Sequence, residues 1–101
     1  MGNGRRKRIL LVEDEALIAL AQKKTLENHG YDVITASSGE KAVSLAAAEA
    51  EIDLILMDIN LGDGIDGTEA AARILESRDI PLVFLSSHTE REVVEKTEGI
   101  T

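Results

Sequence analysis

With 101 residues the chain has room for one domain near the lower end of comfortable size, and 44% apolar content suits a globular core. Aromatics at 2% and no cysteine exclude a base-stacking surface, a disulfide framework, a thiolate metal site and a thiol nucleophile. The net charge is −8, but Arg5, Arg6, Lys7 and Arg8 hold four of the 11 basic residues; from Ile9 onward 7 basic side chains meet 19 acidic ones, a net of about −12 that repels phosphate backbones and argues against nucleic-acid binding.

Residues 1–8 read as a basic, disordered tail and residues 9–101 as one domain. No apolar run reaches membrane-spanning length. None follows the basic residues in signal-peptide form, because Glu13 and Asp14 interrupt it. No membrane contact and a cytosolic location are expected.

Ile9–Val12 (ILLV) is a short continuous apolar run, the pattern of a strand buried on both faces. Glu15–His29 is helix-forming; Gly30 stands where a helix C-terminal glycine belongs, with Lys23, Lys24 and His29 towards the negative end of the dipole. Tyr31–Ala36 predicts a second strand. Ser37 and Glu40 match a capping box opening a helix through Lys41 to about Ala50. Ile52–Met57 is the third strand. Asp66 and Glu69 cap the next helix, TEAAARILESR. Ile80–Leu85 (IPLVFL) is the fourth strand, with Pro81 at its start, and Thr89 and Glu92 cap a fourth helix, REVVEK. Strands alternating with helices over short connections predict an α/β fold: a doubly wound parallel sheet, covered on both faces, with ligands beyond the carboxyl ends of its strands.

Glu13 and Asp14 fall at that edge after the first strand, Asp58 after the third, and Ser86 and Ser87 after the fourth. If the strand order reverses at strand one, strands one and three are neighbours and three carboxylates converge. Unpaired, they repel, and at least one pKa rises. A hard divalent cation such as Mg²⁺ relieves the conflict.

The loop after Asp58 invites two other readings. GDGIDG at Gly62–Gly67 matches G-x-G-x-x-G between a strand and a helix. Asp63 and Asp66 would turn negative charge on a pyrophosphate, however, and this is the third strand-to-helix turn rather than the first. Asp58, Asn60, Asp66 and Glu69 occupy positions 1, 3, 9 and 12 of a calcium loop. But Gly62 offers no side-chain oxygen at the fifth position, and Asp63 stands where the turn needs glycine.

ILLVEDE, LILMDINLGDGIDG and IPLVFLSS, in this order and spacing, are similar to the receiver domain of bacterial-type two-component response regulators, over Arg8 to Gly99. The resemblance implies a flavodoxin-like fold with strand order 2-1-3-4. It implies Asp58 as phosphoacceptor from a histidine kinase or phosphotransfer protein. Mg²⁺ would be held by Asp14, Asp58 and the backbone carbonyl of Asn60, with Glu13 acting through a water. Ser86 would bond the phosphoryl group, Asn60 and His88 would tune its loss, and the fourth helix would face a downstream partner. Such a module is a self-phosphorylating acceptor, not a turnover enzyme.

The chain departs from the family pattern in two places. Gly62 and an extra loop residue stand where many members have a proline, so a more flexible loop is expected. The fifth strand, its lysine and the fifth helix would follow Thr101; Lys96 lies in the fourth helix and does not take that role. The chain is expected to be incomplete there, leaving the fourth strand as an apolar edge open to homodimer formation or a swapped assembly. Two other functions stay open: a phosphorylation-independent interaction module, and a Mg²⁺-dependent phosphohydrolase. The latter wants a second acid two residues after the nucleophile, where Asn60 stands.

Overall fold

The computed structural model describes residues 6–62 and 64–85. Four strands and three helices alternate: β1 (Arg8–Val12), α1 (Ala16–Asn28), β2 (Asp32–Ala36), α2 (Gly39–Ala48), β3 (Leu54–Asp58), α3 (Gly67–Ser77) and β4 (Leu82–Leu85). The sheet is parallel throughout, in the order β2-β1-β3-β4. This is the expected flavodoxin-like arrangement. No helix among the described residues is long and apolar enough to cross a membrane.

The continuous apolar runs of the two central strands, β1 and β3, lie in the interior because helices cover the sheet. Ile9, Leu10, Leu11 and Val12 are all buried, as are Ile55 and Met57 in β3. On one face α2 and α3 complete a core of Leu10, Val12, Ile55, Met57, Leu61 and Ile74 with small alanines between. The helix period explains which residues enter it. Gly67, Ala70, Ala71 and Ile74 of α3 are buried at one-turn spacing, and so are Gly39, Ala42 and Ala46 of α2. Truncating a fully buried Ile55 or Ile74 to alanine typically costs about 2–5 kcal/mol.

On the other side α1 buries no residue completely, and Leu17 and Leu20 are 82% and 56% exposed. Its end is a Schellman motif: Tyr31 N–H donates to the Leu26 carbonyl and Gly30 N–H to that of Glu27, with Gly30 at φ +96°. No basic residue lies in the last turn itself. Lys23 and Lys24 lie too far back, and His29 is the C-cap, its Nδ1 2.8 Å from the Thr25 carbonyl oxygen.

Element ends shift for identifiable reasons. The N-cap of α2 is Ser38, not Ser37: Ser38 Oγ accepts from Lys41 N–H and the helix starts at Gly39. The capping box therefore does not form, which leaves Glu40 for another partner. Near the start of β3, Asp53 hands its N–H to the Arg8 carbonyl and takes the Arg8 N–H on its carboxylate. Ladder pairing with β1 runs from Leu54 to Met57, while Asp58 is paired only on the other side, its Cα partner in β4 being Leu85. Arg78 leaves α3 to serve α2 instead, its guanidinium donating to the carbonyls of Ala46, Glu49 and Ala50 at that helix's C-terminal end. The expected fourth helix lies outside the described residues.

Candidate functional site

Val12 and Met57 are register partners on adjacent strands, so the residues that follow them, Glu13 and Asp58, emerge side by side. With Asp14 they form a cluster in which one carboxylate oxygen from each residue lies within 4.8 Å of the other two. Asp58 is 2% exposed and Glu13 4%, while Asp14 faces solvent.

The two oxygens of Asp58 are not equivalent. Oδ1 accepts the Asn60 N–H at 3.0 Å, a turn in which an aspartate caps the chain two residues on. Oδ2 is buried without a hydrogen-bond partner. A buried oxygen without a donor needs an explanation, and an ion or an incoming group would supply one. Glu13 Oε2 accepts the Glu15 N–H at 3.1 Å. Burial, reinforced by the charge of Asp58, nevertheless pushes the Glu13 pKa up to about 7, against 4.5 for an ordinary glutamate.

An all-oxygen donor set with like charges in contact suits a hard cation, and the residues fit Mg²⁺. Carboxylates of Glu13, Asp14 and Asp58 would hold it, and the Asn60 carbonyl lies on the loop that starts beside them. A groove of about 300 Å³ runs from Glu13 and Asp14 between α1 and the end of β2, with Leu20 on its rim, giving the cluster an open side.

The loop after Asp58 is fastened at several points. Gly62 takes φ +69°, and a Cβ there would sit 3.0 Å from Asp14 Oδ2. Ile65 N–H donates to Glu40 Oε2 at 3.0 Å across from α2. Asp66 caps α3, its Oδ1 accepting from the Glu69 N–H. A Cβ on Gly67 would lie 2.1 Å from the Asp58 carbonyl oxygen, so only glycine lets α3 start directly against the end of β3.

Glu13, Asp14, Asp58 and Asn60 are thus brought to one edge as the sequence predicts. Ser86, His88 and Lys96 lie outside the described residues; Leu85, the residue before Ser86, pairs with Asp58. Sequence reasoning missed Glu40 and Gly67 as neighbours of the site. The S-x-x-E signal pointed Glu40 back at its own helix, and no local pattern reports a contact 25 positions away.

A family model described as the response regulator receiver domain matches residues 9–99. The transcriptional regulatory protein PdtaR of Mycobacterium tuberculosis is 36% identical over 91 residues, covering 89% of this chain and 43% of that protein. The chain therefore spans less than half the length of this curated relative. Among solved structures, the N-terminal domain of a response regulator/sensory box/GGDEF protein from Carboxydothermus hydrogenoformans is 44% identical, with a TM-score of 0.78 over 94% of this chain and 76% of that one. The response regulator protein TrrA from Thermotoga maritima, in complex with Mg(2+)-BeF, is 27% identical, with a TM-score of 0.74 over 94% of this chain and 99% of that one.

Proposed function

This chain belongs to the response regulator receiver domain family, and on that footing we propose that Asp58 accepts a phosphoryl group from a phosphohistidine on a histidine kinase or phosphotransfer protein. Receiver domains are signalling modules rather than turnover enzymes, and the chain fits that role. The observation that carries the reading is the buried, unpartnered Oδ2 of Asp58 inside the Glu13–Asp14–Asp58 cluster.

In the proposed step Asp58 Oδ2 attacks phosphorus, the donor's P–N bond breaks, and its electron pair stays on the imidazole. The Asn60 N–H on Oδ1 keeps the carboxylate from rotating, so the other oxygen faces the site. Bound at Glu13, Asp14, Asp58 and the Asn60 carbonyl, Mg²⁺ would supply positive charge against the phosphoryl oxygens. Ser86 follows the strand partner of Asp58 and would donate its hydroxyl to the phosphoryl group. The groove beside Asp14 gives a donor's histidine a path of approach. Phosphorylation adds charge at this edge and would bias the fourth-helix region towards a downstream protein partner. Val83 and Phe84, 48% and 43% exposed on β4, support self-association through that strand, which sedimentation across a concentration series reads directly.

The deciding experiment incubates the protein with Mg²⁺ and acetyl phosphate. A phosphoryl mass gain that Asp58→Asn abolishes is expected. No adduct refutes the acceptor reading and favours a phosphorylation-independent interaction module. Sustained release of inorganic phosphate from phosphate esters would make the protein a hydrolase.

A further inference from the structure

The loop that follows Asp58 contains two glycines in left-handed conformation, Gly62 at φ +69° and Gly64 at φ +88°. Two such residues so close together leave a backbone little stiffness of its own. Yet the loop must keep a definite path, because Gly62 passes so close to Asp14 that a Cβ there would sit 3.0 Å from its Oδ2. A tether from another element supplies that order. Glu40, on the first turn of α2, reaches across to the Ile65 N–H.

We propose that Glu40 is a positioning residue of the acidic centre, its carboxylate holding the loop closed beside Asp14 and Asp58. This inference rests on the metal-centre reading above and deepens it. Local geometry is built around the contact. A Cβ on Gly64 would stand 2.7 and 2.8 Å from the two Glu40 oxygens, so glycine there admits the carboxylate. A Cβ on Gly39 would meet Ile65 Cγ1 at 2.7 Å and the Ile65 carbonyl oxygen at 2.9 Å, so α2 and the loop touch closely at the same place. The hydrogen bond from Ile65 is also the main reason the Glu40 carboxyl stays ionised below its ordinary range. One end of the loop is then fixed by the Asn60 N–H on Asp58, its far part by Glu40, and Gly62 is held between them against Asp14.

A purely structural role must be separated from this one, because an acid in the first turn of α2 also favours the positive end of the helix dipole. Glu40→Gln removes the charge but keeps an oxygen acceptor for Ile65; Glu40→Ala removes both. Two readouts are taken on the whole chain: hydrogen exchange of the Ile65 amide without metal, and Mg²⁺ affinity by calorimetry. In Glu40→Ala the Ile65 amide should exchange at least about tenfold faster, as a locally opened loop does. The Mg²⁺ dissociation constant should rise about tenfold, the low end for a group that orients a ligand from behind. Glu40→Gln should restore most of both. Unchanged Ile65 exchange in Glu40→Ala, or equal defects in the two variants, overturns the proposal. A wild type that takes up no Mg²⁺ refutes the metal centre instead, and the Ile65 exchange then decides the tether by itself.

Discussion

Replacing Glu13 by glutamine tests the electrostatics of the site without any phosphodonor. Burial first, and the charge of Asp58 second, raise the Glu13 pKa from 4.5 to about 7. Between these values the folded protein holds a proton that the unfolded chain has released. Stability of the metal-free protein therefore falls as pH rises through this window, and the loss is complete above about pH 7. A shift of this size corresponds to about 3 kcal/mol at 1.36 kcal/mol per pH unit. Glu40 and Asp66 act in the opposite sense. Backbone N–H groups of Ile65 and Glu69 lower their pKa values, so their stabilisation is present above the ordinary carboxylate range and is lost only in acid. The interval from pH 5 to 8 thus separates Glu13 from these two carboxylates. Glutamine keeps the shape and the acceptor for the Glu15 N–H but cannot ionise. Urea unfolding in the presence of chelator should show Glu13→Gln gaining up to about 3 kcal/mol on the wild type between pH 5 and pH 8. Parallel pH profiles for the two proteins would refute the reasoning. With Mg²⁺ present the advantage should reverse, since the variant loses a carboxylate and with it the stabilisation that binding brings.

Two further substitutions test the local geometry. Ser38→Ala should cost about 1 kcal/mol in urea unfolding by removing the N-cap of α2. Ser37→Ala should stay within about 0.5 kcal/mol, the reverse of what the capping-box pattern implies. Gly67→Ala should cost about 3 kcal/mol, because the new methyl meets the Asp58 carbonyl rather than a yielding side chain. It should also shift the Asp58–Asn60 amide resonances, and a variant as stable as the wild type would mean that α3 can start elsewhere.

Much of this molecule is legible along the chain because the signals are local. ILLV and LILM are apolar without alternation, which suits a sheet covered on both faces, and the alternation of such strands with helix-period segments dictates a parallel order; LVFL has the same pattern, but the structure leaves its Val83 and Phe84 exposed. Carboxylates at strand ends cannot follow their strands into the core, so Glu13, Asp14 and Asp58 had to gather at one edge once β1 and β3 became neighbours. Asp66 as a cap is likewise a matter of three residues. The tertiary structure decided what depends on distant backbone. It moved the cap of α2 to Ser38 and released Glu40 to a partner 25 positions away. It took Arg78 out of its own helix to close the end of another. It also gave Gly67 a purpose invisible in sequence, the absence of a side chain where α3 meets the carbonyl of Asp58. Hydrophobic period and charge act over a few residues and can be read in order. Hydrogen bonds between loops and helix ends are set by which backbones the packed sheet brings together, and packing is known only once the chain has folded.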